Sequence, residues 1–113
     1  MKRRIVEKPW GFEHIWAETE DYVAKMLHIN PKQRLSLQYH ETKEETVYVL
    51  EGTLLNWTDD DDSPPQRYNV NQVLHIEPNQ VHRFGAGKST VRLMEVSTPH
   101  LNDVVRLADD YKR

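Results

Sequence analysis

Four side chains of this 113-residue chain have the types and the spacing to hold a metal ion. Gln38 and His40 are two residues apart in a segment that alternates like a strand, so their side chains point to one face with Cα atoms roughly 6.5 Å apart. Glu45 opens the next strand-like segment, and His82 begins a later one. Two imidazole nitrogens, a carboxylate oxygen and an amide oxygen suit a divalent metal such as Zn, Mn, Fe, Co or Ni.

Other charged and histidine residues have a simpler interpretation. The remaining histidines are interpreted as surface residues or as satisfied core residues: His14, His28, His75 and His100. The acidic run Asp59–Asp62 could bind a cation, but strand-like segments flank it and Ser63-Pro64-Pro65 follows. We interpret that run as the solvated tip of a hairpin.

Short strands must position the four candidate ligands. Alternating or β-branched segments bounded by turn residues predict strands at 22–29, 34–40, 45–50, 53–58, 66–70, 72–76, 81–84 and 91–96. We expect 53–58 to form a hairpin with 45–50, and 66–70 to return after the acidic turn. Segments 81–84 and 91–96 are expected to form the last pair, and residues 101–111 could form a helical turn. This pattern predicts an all-β sandwich or barrel, whose closure would remove exposed strand edges.

The composition limits the class of protein. The length predicts one domain over residues 1–113. The absence of cysteine excludes disulfides, iron–sulfur clusters and a cysteine nucleophile. A mean hydropathy of -0.81 argues against a membrane helix, and the basic start at Met1–Val6 lacks the apolar stretch of a signal peptide. A net charge of -3 with interspersed signs gives no electrostatic footprint for nucleic acid. We therefore expect a cytoplasmic protein with no nucleic-acid or membrane partner.

The spacing of the candidate ligands resembles the cupin superfamily. His40, Glu45 and Gly52 match its first motif, and Glu77-Pro-Asn-Gln-Val-His82 resembles its second, with Asn79 where glycine is usual. Asn tolerates a left-handed backbone better than most residues.

Longer segments are similar to the type II mannose-6-phosphate isomerase domain, which is also the C-terminal part of bifunctional mannose-1-phosphate guanylyltransferase/isomerases. The similar segments are Lys8-Pro-Trp-Gly-Phe12, Leu35-Ser-Leu-Gln-Tyr-His40, Val81-His-Arg83, Glu95-Val96 and the stretch from Asp103 to Arg113. The resemblance covers almost the whole chain. It implies a double-stranded β-helix, the cupin jelly-roll barrel, with Gln38, His40, Glu45 and His82 as metal ligands.

The resemblance also implies aldose–ketose isomerisation of a phosphorylated hexose. The metal would polarise the C1 and C2 oxygens and stabilise an enediolate, while a base carries a proton between the two carbons. Lys25 and Glu95 are the candidate bases. By alternation Lys25 shares a face with Leu27 and Ile29, so it lies either in the cavity or at the rim, where it would only pair with a carboxylate.

Arginines are the candidates for binding the phosphate, because a guanidinium binds phosphate through two hydrogen bonds. Arg83 directly follows His82 and could reach a phosphate at the cavity mouth or make a structural ion pair. Arg106 and Arg113 have the same two alternatives, with Asp103, Asp109 or Asp110 as partners in the second.

Other functions fit the same residues. One alternative is a cupin that binds or senses a small molecule without turnover. A second is a metal-dependent dioxygenase, because two histidines and a carboxylate also form oxygen-activating iron sites. A third is a structural barrel without metal. The strand edges and the short chain predict a homodimer, formed by strand exchange or by sheet-face packing.

Overall fold

The computed structural model describes residues 4–59 and 63–112, and within these ranges the chain forms eleven strands. None of the described residues belongs to a helix that is long and apolar enough to span a bilayer. The strands are β1 (Arg4–Lys8), β2 (Gly11–Glu18), β3 (Val23–Ile29), β4 (Leu37–Tyr39), β5 (Glu45–Glu51), β6 (Leu54–Trp57), β7 (Gln66–Tyr68), β8 (Val73–Ile76), β9 (Arg83–Gly85), β10 (Val91–Ser97) and β11 (Val105–Ala108).

The strands form two layers. One layer is a six-stranded antiparallel sheet in the order β1-β2-β3-β10-β5-β8. The other layer combines β11-β4 with β7-β6-β9, because single bridges between Gln38 and His82 and between Arg34 and Gly85 join the two smaller sheets. The prediction of an all-β fold is therefore confirmed.

The core lies between the layers towards one end of the barrel. Residues that alternate inward from both layers are almost fully buried there, among them Trp10, Leu27, Ile29, Val47, Val49, Leu54, Ile76, Phe84, Val91 and Leu93. Gly52 ends β5 with φ +78°, and a Cβ at this position would lie 2.3 Å from the carbonyl oxygen of Thr90. The motif glycine is therefore required by both the backbone conformation and the close approach of the neighbouring chain.

Each segment predicted as a strand contains one, but two predicted pairings and one predicted element are wrong. Strand β5 is paired on both edges, with β10 and β8, so β6 cannot form a hairpin with it and pairs with β7 and β9 instead. Strand β10 is likewise paired on both edges, with β3 and β5, which leaves no edge for β9. Residues 101–111 contain a strand, β11, and not a helical turn, because they pair with the edge of β4. The return of β7 along β6 is confirmed.

Candidate metal centre

Three side chains from separate parts of the chain meet in the lining of one inner cavity. His40 follows β4, Glu45 begins β5 and His82 directly precedes β9. All three are buried, and one potential ligand atom from each lies within 4.8 Å of the other two. The two layers therefore bring together three of the four residues predicted as ligands.

The distances between these atoms fit coordination of a single ion. Oε1 of Glu45 lies 3.2 Å from Nε2 of His82 and 3.5 Å from Nε2 of His40. Two ligands at about 2.1 Å from one metal lie about 3.0 Å apart at a right angle and about 3.4 Å apart at the tetrahedral angle. The group therefore has the separation and the N/O chemistry of a divalent metal site.

The hydrogen bonds of the two imidazoles orient their lone pairs towards each other. Nδ1 of His82 donates to the carbonyl of Gln80 at 2.9 Å, and Nδ1 of His40 donates to the carbonyl of Asp103. In a neutral ring this leaves Nε2 without a proton and able to bind a metal. Without a metal, a hydrogen bond between Nε2 and Glu45 needs a proton between the two atoms, so protons and metal ions compete for the same place.

The turn before His82 helps to place both histidines. Asn79 has φ +66°, as its asparagine side chain predicts for a position where glycine is usual. Its backbone N–H donates to the carbonyl of His40 at 2.6 Å. The turn is thereby attached to the end of β4, two residues beyond Gln38.

Gln38 lies beside the three-residue group. Its main chain exchanges two hydrogen bonds with that of His82, at 3.0 and 2.9 Å, and its side chain lines the same cavity. Its part as a fourth ligand stays a prediction.

A row of buried charges continues from Glu45 across the cavity. Nζ of Lys43 lies 3.5 Å from Oε2 of Glu45 and 3.1 Å from Oε2 of Glu95. Nζ of Lys25 lies 3.7 Å from the same Glu95 oxygen and 3.1 Å from Oε1 of Glu13. Negative and positive groups therefore alternate from Glu45 to Glu13, which lowers the cost of burying each of them.

These charges shift the pKa of their neighbours. Burial, assisted by the negative charge of Glu45, raises the pKa of Glu95 to about 7 although Lys25 and Lys43 oppose the shift. Burial also acts to raise the pKa of Glu45, but contacts with His40 and His82 and the charge of Lys43 hold it well below its ordinary value. Burial alone would lower the pKa of Lys43, but Glu95 and Glu45 outweigh it and raise that pKa. Glu95 is thus the carboxyl poised to exchange a proton near neutral pH.

Lys43 is the residue that sequence reasoning missed. It stands in the charged stretch Glu41-Thr-Lys-Glu-Glu45, which has the composition of a solvated loop. In the structure it is 4% exposed and points into the cavity between two carboxylates. The one signal for it is spacing, because Lys43 stands two residues before Glu45 and so has the same alternation as the buried Val47 and Val49.

The cavity has a volume of about 200 Å³ and includes several basic side chains in its lining. Lys25, Lys43, Glu45 and Glu95 line its interior, and Lys25 is buried as the inward alternative predicts. Arg4, Lys8 and Arg106 also line it, each on a more exposed part of the chain. The arrangement can take a small polar molecule that carries negative charge.

Arg83 does not take part in this lining. Its side chain is 4% exposed and donates to the carbonyl of Leu35 at 2.8 Å and to Oδ1 of Asp110 at 3.2 Å. Of the two alternatives, the structural ion pair is the one that forms, because Arg83 follows His82 and so points to the other side of the strand. Arg113 and three of the four residues of the Asp59–Asp62 run, 60–62, lie outside the described residues.

The family model for the C-terminal region of mannose-6-phosphate isomerase matches residues 1–109. The chain belongs to this family. A second relative, quercetin 2,3-dioxygenase of Bacillus subtilis strain 168, is 32% identical over 68 residues. That match covers 60% of this chain and 19% of the relative, so the chain spans about a fifth of the length of that enzyme.

Solved structures confirm the double-stranded β-helix of this isomerase-family domain. A conserved protein of Klebsiella pneumoniae with a double-stranded β-helix domain has a TM-score of 0.71 at 19% identity, covering 84% of this chain and 77% of its own. The polyketide cyclase RemF of Streptomyces resistomycificus has a TM-score of 0.78 at 19% identity, covering 97% and 82%. At this level of identity the likeness extends to the fold alone.

Proposed function

We propose that this domain binds a divalent metal through Gln38, His40, Glu45 and His82 and interconverts the aldose and ketose forms of a phosphorylated hexose. One observation supports the proposal most. Two imidazole lone pairs and a carboxylate converge in a cavity that basic residues also line. The family match favours the same reaction. The metal would be Zn, Mn, Fe, Co or Ni, and when bound it would supply a positive charge that polarises the substrate oxygens.

Proton transfer between the two sugar carbons is assigned to Glu95. An efficient base has a pKa close to the working pH, and burial raises the pKa of Glu95 to about 7. Its Oε2 atom has no hydrogen-bond donor in good geometry among the described residues, although Lys43 and Lys25 lie near it. Lys25, the other candidate base, lies between two carboxylates, with Nζ 3.7 Å from Oε2 of Glu95 and 3.1 Å from Oε1 of Glu13. Its proposed part is therefore to orient Glu95.

The phosphate is assigned to the open end of the cavity. Lys8 and Arg106 line the cavity and are less buried than Lys25 and Lys43, so their positive charges would bind an anion without burying it. Arg83 is left out of the proposed machinery because it does not line the cavity.

The test is conversion of mannose 6-phosphate to fructose 6-phosphate in a coupled assay, with the chelator-treated protein reloaded with each of the five metals. We expect turnover with at least one metal and its loss in Glu95→Gln, which keeps the shape of the side chain but cannot take a proton. Metal binding must be retained in that variant. Binding of mannose 6-phosphate without turnover under any metal would contradict an isomerase and favour the non-catalytic binding cupin.

A metal-dependent dioxygenase is the second candidate, and the identity with quercetin 2,3-dioxygenase is the observation that favours it. A site of two histidines and one carboxylate also suits iron that activates oxygen. Oxygen uptake by the iron-loaded protein with quercetin as substrate tests it. Uptake without isomerase turnover would replace the first proposal.

We also propose that the partner of this chain is a second copy, packed against the outer face of the six-stranded sheet. Trp16, Tyr48, Leu50 and Val96 are exposed on this face, although they are large and apolar. Arg92 Nε on the same sheet is buried and has no hydrogen-bond partner among the described residues. Exposed aromatic and aliphatic side chains around an arginine are typical of protein interfaces.

A further inference from the structure

The C-terminal segment reaches the metal centre through one residue, Asp103. Its carboxylate accepts hydrogen bonds from three consecutive backbone N–H groups, those of Glu41 at 3.1 Å, Thr42 at 2.7 Å and Lys43 at 2.8 Å. Its own backbone carbonyl accepts a hydrogen bond from Nδ1 of His40. Four consecutive residues, 40 to 43, therefore each donate a hydrogen bond to Asp103.

This arrangement fixes two parts of the site at once. The carbonyl of Asp103 sets the orientation and the tautomer of the His40 ring, because Nδ1 carries the proton that it accepts. The carboxylate holds the main chain of the loop that leads to Glu45 and that carries Lys43. Since the carboxylate also holds the main chain of residue 103 against that loop, it determines where the carbonyl lies.

The same segment forms a wall of the cavity. Asn102 and Val104, on either side of Asp103, line the cavity, while the Asp103 side chain is directed to the loop. At its other end the segment is anchored separately, by Asp110, which accepts hydrogen bonds from Arg34 at 2.6 and 3.1 Å. The two anchors can therefore be removed one at a time.

We propose that Asp103 is a positioning residue of the metal centre. It couples the C-terminal wall of the cavity to the ligand His40 and to Lys43. This inference rests on the proposed metal site. A partner of a metal ligand is expected to change metal affinity about 10- to 100-fold when it is lost.

The experiment measures binding of Co²⁺ alone to the chelator-treated protein, by competition with a chromophoric chelator, together with the visible absorption of the bound cobalt. Asp103→Asn keeps the size of the side chain but replaces one acceptor oxygen by an N–H₂ group that faces N–H donors. We expect it to weaken Co²⁺ binding about 10-fold or more and to change the cobalt spectrum, which reports ligand geometry. Asp110→Asn is the matched control and should lower the melting temperature while leaving Co²⁺ affinity and spectrum unchanged.

The outcomes separate the two proposals. If the wild-type protein binds no Co²⁺, the proposed metal function fails and this inference fails with it. If the wild-type protein binds Co²⁺ and Asp103→Asn matches it in affinity and spectrum, only the role of Asp103 is overturned. Equal losses in Asp103→Asn and Asp110→Asn would also overturn it, because the segment would then act only through general stability. Should Asp103→Asn not fold, Asp103→Ser keeps one acceptor oxygen and is measured in its place with the same expectation.

Discussion

Lys43 and Glu95 form a buried ion pair, with Nζ and Oε2 3.1 Å apart and each residue no more than 4% exposed. The pair lies between the proposed ligand Glu45 and the second lysine, Lys25. Because Lys43 also contacts Glu45, the same ammonium group neutralises one carboxylate assigned to the metal and one assigned to proton transfer. The charge of Lys43 therefore stabilises the site most when no metal is bound.

Replacing Lys43 by Met tests this relationship. The variant leaves Glu45 and Glu95 buried without their shared cation, and loss of one partner of a buried pair typically costs about 3–5 kcal/mol. We expect a large fall in the melting temperature of the chelator-treated protein. A bound metal ion would partly replace the lost charge, so the gap in melting temperature between metal-loaded and metal-free protein should be wider than in the wild type.

The control is Lys88→Met, which removes a lysine from an exposed position. It should leave both melting temperatures nearly unchanged. A gap in Lys43→Met that is equal to or narrower than the wild-type gap would show that Lys43 does not compensate charge at the metal centre.

The sequence predicted eight of the eleven described strands, β3 to β10, because most of these alternate or end at turn residues, as at Gly52 and Asn79. Strands β1 and β2 were not predicted. The predictions from sequence were wrong where the local hydrophobic spacing disagrees with the strand pairing of the folded protein. Leu101, Val104, Val105 and Ala108 have the spacing of one helix face, yet this segment forms β11 because β4 offers it an unpaired edge. The wrong hairpins have a similar cause, since strand order in two facing sheets depends on which edges are already paired.

The clustering of His40, Glu45 and His82 was predictable because these residues carry their chemistry in their side-chain types and their spacing. Lys43 was missed because it lies in a charged loop, whose main chain is held by hydrogen bonds to Asp103, sixty residues further along the chain. For Arg83 the sequence left two roles open, phosphate binding and a structural ion pair. The guanidinium suits phosphate, but the position after His82 directs the side chain to Asp110.

Removing the histidines should remove the metal. We expect His40→Ala and His82→Ala each to abolish stoichiometric binding, because each deletes one of few strong donors. Gln38→Ala should weaken binding less, since a neutral amide oxygen contributes less electrostatic energy than an imidazole or an anion. Metal analysis after dialysis measures this, with His75→Ala on the exposed surface as control. Full occupancy in both histidine variants would disprove the ligand assignment.

The outer sheet face should control the oligomeric state. Trp16 is 40% exposed there, and its Nε1 atom contacts the sulfur of Met94 on the same face. Trp16→Glu places a charge in the proposed interface, so the protein should change from dimer to monomer. Light scattering at micromolar concentration measures the mass, and Tyr22→Glu at another exposed aromatic position is the control. A monomeric wild-type protein would rule out the homodimer.

The last prediction concerns the pH dependence of stability without metal. Glu95 has a pKa of about 7 in the folded protein against 4.5 when unperturbed, chiefly because it is buried. Between these values the folded state keeps a proton that the unfolded state has lost, so the contribution of Glu95 to stability falls as the pH rises through about 7. The fall amounts to roughly 3 kcal/mol at most. Glu45 acts in a different window, because its pKa is lowered and its contribution is lost only as the pH falls below about 4.5.

The variant Glu95→Gln tests this pH dependence. Its side chain cannot ionise, so between about pH 5 and pH 8 its free energy of unfolding should decrease less than that of the wild type. Urea unfolding of both chelator-treated proteins across this range measures the difference. Because both proteins contain the same histidines, these residues do not contribute to the difference between the two curves. Parallel curves for the two proteins would show that Glu95 ionises at its ordinary pKa and would remove the argument for it as the base.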